Sequence, residues 1–337
     1  MSTIPGDYQE QTFGPVHHSH ALWNTHSSNT LTNNVGGSLN TNVGNVSHSY
    51  NNTFHLAPSE GTLPIQAWLS PLEPHKRHQD VRNLRLDGIG DWVLWTREFE
   101  SWYWGRGGSE HPFLLCYGSQ GVGKTYIKYK GFLMTLWPQL MRNVNGSLVI
   151  DTLGNLTRGQ NAAVFPLYCD YQAQMNQSPV NMIGALLKQV VAGATVIPDS
   201  IKYLFEESRK LGGQGLRLTE LVQLFVEEIG SFERVFICID ANDELLAKDR
   251  PKFIRALRYI VNRAPNSRLF LTSRPYVRLE LDKHLAGLAY IIQVVADLGD
   301  ITRYVQLKIE DDPHPRLMSE NLRKDIMKTM LEETSGM

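Results

Sequence analysis

Five short runs along the chain are almost wholly apolar: FLLCY from Phe113, AVFPLYC from Ala163 to Cys169, RVFICID from Arg234 to Asp240, SRLFLTS from Ser267 to Ser273 and AYIIQVV from Ala289 to Val295. Runs of this length without polar alternation predict strands covered on both faces, and hence a parallel sheet sandwiched by helices. Between the runs the apolar spacing turns helical. Ser178 and Pro179 open a segment carrying Met182, Ile183, Leu186, Leu187, Val190 and Val191 on one face. Thr219 opens another, with Leu221, Val222, Leu224, Phe225 and Ile229 before Gly230, and Pro251 starts a third with Phe253, Ile254, Leu257, Ile260 and Val261. After the fifth run the pattern is helical only, with Asp300 and Ser319 as N-caps and Gly336 as a stop, which predicts a small helical domain at the carboxyl side of the sheet.

The chain before the first strand divides by composition. Residues 1–62 are rich in Asn, Ser, Thr, Gly and His with few charges and no sustained apolar period, so they predict a disordered tail. Within it, the amide-rich stretch Asn24 to Asn52 has a composition that can stack into cross-β ladders. Residues 63–84 read as a Pro-containing linker, 85–275 as the α/β core and 276–337 as a helical subdomain, incomplete at its C-terminus. From Arg85 to Trp104, the aromatic series Trp92, Trp95, Phe99 and Trp102 fits either a core helix or a flap against a nucleotide base.

Candidate chemistry begins where the first strand stops. Gly118, Ser119, Gln120, Gly121, Val122, Gly123, Lys124 and Thr125 match GxxxxGK[ST], the Walker A pattern of P-loop proteins. Glycines let backbone N–H groups turn inward around phosphate oxygens, Lys124 reaches the β and γ phosphates, and the Thr125 hydroxyl is a ligand for Mg²⁺. A helix starting near Gly123 adds its partial positive charge. Such a loop needs a carboxylate from a second strand, and Asp240 ends ICID at the carboxyl edge to hold Mg²⁺. Asp243 and Glu244 follow on the next turn, where they can orient or deprotonate an attacking water. Arg274 emerges after LFLTS and can reach a γ-phosphate.

Two rival P-loop classes fit less well. LGGQ at Leu211 to Gln214 resembles a transporter signature, but Asp240 is followed by Ala241 rather than Glu, so LGGQG reads as a flexible turn. Small-molecule kinases have no strand between the loop strand and the acid strand, whereas Ala163 to Cys169 supplies one here. Composition narrows the partners. A net charge of −1 recruits neither nucleic acid nor an anionic membrane, and no window is long and apolar enough for a membrane span. Cys116, Cys169 and Cys238 sit singly in strand runs, which predicts buried, reduced thiols and a cytoplasmic setting.

Taken in order, GSQGVGKT, VFICIDANDEL and RLFLTSRP resemble the NACHT module of fungal signal-transducing NTPases, in its nephrocystin-like subtype. The resemblance covers about residues 63–337. It implies a nucleotide-controlled switch (ATP or GTP, with Mg²⁺) that hydrolyses slowly and self-associates on activation by an unknown ligand, passing its signal to an unknown effector. Moving such a switch from almost closed to almost open takes roughly 5.5 kcal/mol of differential binding. Lys124 and Thr125 would carry the Walker A roles, Asp240, Asp243 and Glu244 the Walker B roles, and Arg274 the sensor role. The chain departs from the pattern after Thr125, where SLVIDTL is expected directly but appears only at Ser147 to Leu153. Lys128 to Gly146 reads either as an insertion, such as a retained in-frame intron, or as the helix after the loop broken at Pro138. The chain also stops at ETSGM, short of the further domains the resemblance implies. The alternative function is a scaffold with a degraded nucleotide site and an assembly-prone tail.

Overall fold

The structure, a computed structural model, describes residues 62–83, 85, 88–105, 111–118, 146–285, 287–294, 298–310 and 319–335. The tail, residues Ser119 to Thr125 of the glycine-rich loop, most of the 128–146 segment and Gly336 lie outside the described residues.

All five apolar runs form strands: β1 Phe113–Gly118, β2 Ala162–Tyr168, β3 Arg234–Asp240, β4 Ser267–Ser273 and β5 Ala289–Val294. They make one parallel sheet in the order β2-β3-β4-β1-β5. β2 follows β1 in the chain, yet it lies at the sheet's edge, and the strand that separates β1 from β3 in space is β4. β5 lies beyond Pro275 but pairs along β1 from Phe113↔Ala289 to Gly118↔Val294, so the sheet runs past the expected core boundary.

Alternation along each strand splits the core in two. Phe113 and Leu115, Phe165 and Leu167, Ile237 and Ile239, and Leu269 and Leu271 face one layer. Their partners there include α5 Pro179–Gly193, α7 Leu218–Ile229, α8 Arg250–Arg263 and α9 Arg278–Leu285. Leu114, Val164, Phe236, Cys238 and Phe270 face the other. That layer is built from α2 Pro74–Asn83, α3 Arg97–Trp104 and a helix over 146–156, here α4.

Local signals explain most boundaries. Ser178 caps α5 by accepting the Asn181 N–H at 3.2 Å, with Pro179 in the first turn. Ser319 accepts the Leu322 N–H at 3.2 Å at the start of α11 Glu320–Ser335. Two expected caps are displaced. α7 begins at Leu218, where the Arg217 N–H donates to Glu220 Oε2 at 2.6 Å, so Thr219 lies inside the first turn. α10 Leu298–Glu310 likewise encloses Asp300, whose carboxylate accepts the Gly90 N–H at 3.0 Å instead. LGGQ is a turn after α6 Asp199–Lys210, with Gly212 and Gly213 both at positive φ.

The stretch 63–84 forms α1 Leu63–Leu69 and α2, not an open linker. Ile65 and Leu69 join the core of α5, and Val81 that of α3. The aromatic series gives a 3₁₀ turn, Asp91–Trp95, and α3. Trp102 is fully buried against Phe236 and Phe270 and donates its indole N–H to the Pro112 carbonyl at 3.0 Å, the packing of a core helix. The α3 C-terminus is closed by two arginines: Arg234 donates to the Tyr103 carbonyl and Arg268 to that of Gly105. Burial, with Arg234 alongside, lowers Arg268 to about 10.

Candidate functional site

Parallel strands deliver their C-terminal residues to one edge, and the candidate residues of β3 and β4 meet there. Asp240, 2% exposed, stands beside Thr272, whose hydroxyl donates to Asp240 Oδ1 at 2.5 Å. The same hydroxyl accepts the Ala241 N–H at 2.8 Å. Ala241 has φ 57, a left-handed conformation that turns the chain sharply out of the strand. Asp240 is also approached from α4, where a Cβ on Gly146 would come within 2.7 Å of Asp240 Cγ. Only glycine fits at that spacing.

The next residues form a 3₁₀ turn, Asn242–Glu244. The buried Asp243 carboxylate accepts the Arg274 N–H at 3.2 Å and lies 2.9 Å from Arg274 Nε, so the arginine after β4 is ion-paired with the acid turn after β3. Glu244 Oε2 accepts the Tyr171 N–H at 3.1 Å, and its carbonyl accepts Gln174 Nε2 at 2.7 Å, joining it to the 3₁₀ turn Tyr171–Asn176.

Arg250 was not among the residues expected here, and it pegs the acid turn from below. Its guanidinium donates to the carbonyls of Asn242, Asp243 and Leu245 and to Glu280 Oε2 at 2.8 Å. Pro251 marks the start of a helix in the sequence, but nothing there shows that the preceding arginine points inward.

These groups line one cavity of about 880 Å³, with Asp240, Asp243, Glu244 and Arg274 joined by Arg77, Asp170, Tyr171, Arg250 and Tyr276. Its volume suits a nucleotide-sized ligand. The carboxylate of Asp240 matches a hard divalent cation such as Mg²⁺, which takes one or two protein carboxylates and completes its shell with water and phosphate. Among the described residues, no group of three or more His, Cys, Asp or Glu side chains is arranged as a metal cage. Gly118 ends β1 at the same edge, one residue beyond the Tyr117↔Ser273 pair. Ser119 to Thr125 lie outside the described residues.

A second network fixes the wall on the β2 side. Tyr168 pairs with Asp240 across the strands, and its hydroxyl lies 2.6 Å from His78 Nδ1. His78 Nε2 is 3.1 Å from Asp151 Oδ1, on α4, and Arg85 donates to Asp151 Oδ2 at 2.7 Å. A carboxylate only accepts, so Nε2 carries a proton toward Asp151. Burial, aided by the charge of Asp240, pushes the Tyr168 phenol well up, so it keeps its proton. Burial also raises the thiols of Cys116, Cys169 and Cys238, all three free.

Among the described residues no helix is long and apolar enough to cross a membrane. No curated protein and no solved structure matches the chain. Residues 142–274 match the family described as Nephrocystin 3, N-terminal, a stretch that runs from four residues before α4 to Arg274 and contains Asp240, Asp243 and Glu244.

Proposed function

We propose that the chain is a NACHT-type P-loop NTPase that acts as a slow nucleotide switch in fungal recognition or regulated cell death. In this reading it is cytoplasmic, self-associates when activated and binds ATP or GTP with Mg²⁺. The observation that carries it is the meeting of Asp240, Asp243, Glu244 and Arg274 around one cavity at the edge where β1 runs into GxxxxGKT. The strand order adds support, because the acid strand stands one strand away from β1. The similarity of residues 142–274 to the nephrocystin 3 N-terminal family is consistent with it.

The roles follow from the chemistry. Lys124 and the amides of Gly118 to Gly123 bind the phosphates, while Thr125 and Asp240 hold Mg²⁺, which neutralises phosphate charge when bound. Glu244, beside Asp243, takes a proton from the water that attacks the terminal phosphorus as the bond to the bridging oxygen breaks. Arg274 leaves Asp243 for the terminal phosphate, so its ion pair reports whether that phosphate is present.

The test is a fluorescent-nucleotide titration of the full chain beside Lys124→Ala and a deletion of residues 128–146. Binding by the parent that Lys124→Ala abolishes supports the switch. Binding by the deletion alone makes the extra segment an inactivating insertion. Absence of binding by both overturns the reading and favours the scaffold.

A further inference from the structure

Among the described residues three arginines line the cavity, and they differ in how fully they are committed. Arg250 is occupied by three carbonyls and Glu280, and Arg274 is paired with Asp243. Arg77 comes from α2, outside every motif of the sequence. Its side chain is 46% exposed, and among the described residues its one ion pair runs from Nη2 to Asp170 Oδ2 at 3.1 Å. A guanidinium has five N–H donors in a planar fork, so one such contact on a side chain that lines the cavity leaves donor capacity for a ligand there.

Its position is nonetheless fixed. The next residue, His78, is buried and joined to Tyr168 of β2 and Asp151 of α4, and Val81, one turn on, is in the core. Asp170 is fixed too: its carboxylate accepts the Gln172 N–H at 2.9 Å and its own N–H donates to Gln177 Oε1 at 2.9 Å. From the end of β1 the sheet edge runs through β4 with Arg274, β3 with Asp240 and β2 with Asp170. A phosphate chain held at the end of β1 and reaching toward Asp240 presents its last phosphate to the β2 side, where Arg77 stands.

We propose that Arg77 is a ligand-binding residue of this site that exchanges Asp170 for the terminal phosphate of a bound nucleoside triphosphate. The inference rests on the nucleotide-switch reading above and adds a specificity element that α2 supplies. No covalent step is involved: a carboxylate partner is replaced by a phosphate that the same fork grips in bidentate fashion.

The experiment is a titration of the full chain with fluorescent nucleoside triphosphate and diphosphate, each with Mg²⁺, for the parent, Arg77→Gln, Arg77→Lys and Lys124→Ala. Loss of one partly exposed charge-assisted contact weakens triphosphate binding of Arg77→Gln by about tenfold and leaves diphosphate binding within about twofold. Arg77→Lys recovers part of the difference. Equal loss for both nucleotides would make Arg77 a merely structural residue and overturn the proposal, as would parental binding of both by Arg77→Gln while Lys124→Ala binds neither. Failure of the parent itself to bind, or parental binding by Lys124→Ala, would overturn the switch reading and this inference with it.

Discussion

The Thr272 hydroxyl joins two successive residues of the neighbouring strand's end, donating to the Asp240 carboxylate at 2.5 Å and accepting the Ala241 N–H at 2.8 Å. Thr272 is 1% exposed, so water cannot replace it at either contact. Thr272→Val keeps the shape and removes both bonds, which costs about 1–3 kcal/mol for the polar groups left buried. Thr272→Ser keeps the hydroxyl and most of the stability. Urea unfolding of the two variants checks this; a Thr272→Val midpoint equal to the parent's would show that other groups hold Asp240.

Asp243 and Arg274 also join these two strand ends. The Asp243 side chain is 1% exposed against 21% for Arg274, so the two truncations are unequal. Asp243→Ala leaves the Arg274 N–H and guanidinium without their carboxylate, a loss of about 1–3 kcal/mol that the partly exposed guanidinium limits by turning to water. Arg274→Ala costs more, roughly 3 kcal/mol, because it leaves the more deeply buried Asp243 carboxylate without its cation. A double-mutant cycle is expected to give a coupling of at least about 1 kcal/mol, and additive losses would mean that the pair does not hold the edge together.

How much of this could be read beforehand depends on the range of the interaction. The strands β1 to β5 were legible because a doubly covered strand writes its burial into consecutive residues, as in VFICI. Asp240, Asp243, Glu244 and Arg274 were legible as a group because parallel strands bring their C-termini to one edge whatever the intervening lengths. The α1 and α2 helices were not. PHKRHQDVRN is strongly polar, and α2 is held in place by His78, Tyr168, Asp151 and Arg85, contacts between residues up to 90 apart that leave no periodic trace. Arg77 and Arg250 were missed for the same reason: an arginine's role is set by what it faces. Thr219 and Asp300 look like caps by type, but the Glu220 carboxylate took the first role at Arg217 and the Gly90 amide engaged Asp300.

Two groups around α2 make stability fall with acid. Burial lowers His75, helped by His78 and Lys188 and only partly opposed by Glu73. Burial alone would raise Asp151, but its hydrogen bond to His78 and the charges of His78, Arg85 and Arg82 outweigh that, and the net shift is downward. In both cases the unfolded chain binds protons more readily, so stability rises with pH. The His75 contribution is full above about 6.5 and is lost as pH falls through its lowered folded value; that of Asp151 is full above about 3.9 and is lost as pH falls further. Unfolding free energy measured against pH is expected to decline in these two stages. His75→Gln removes the first stage and Asp151→Asn the second, and an unchanged profile in either variant would assign the titration elsewhere.

The contact between α1 and α5 tests whether residues 63–73 belong to the core. Gly184 of α5 lies directly under the Leu69 carbonyl, and a Cβ there would come 3.1 Å from the Leu69 carbonyl carbon and nearer still to its oxygen. One turn on, the buried Lys188 ammonium donates to the carbonyls of Ser70 at 3.3 Å and Leu72 at 2.9 Å and pairs with Glu73. These contacts satisfy carbonyls at and just beyond the end of α1 with a charge from a helix more than a hundred residues away. On an exposed helix, Gly184→Ala would add about 1 kcal/mol of stability. Here the clash is with backbone, which cannot step aside as a side chain can, and the variant is expected to lose about 1–3 kcal/mol. Thermal unfolding gives the sign, and limited proteolysis gives the place: cleavage within residues 63–73 should quicken in Gly184→Ala. A stabilised variant with unchanged cleavage would mean that α1 rides on α5 without packing into it, and that the core begins later in the chain.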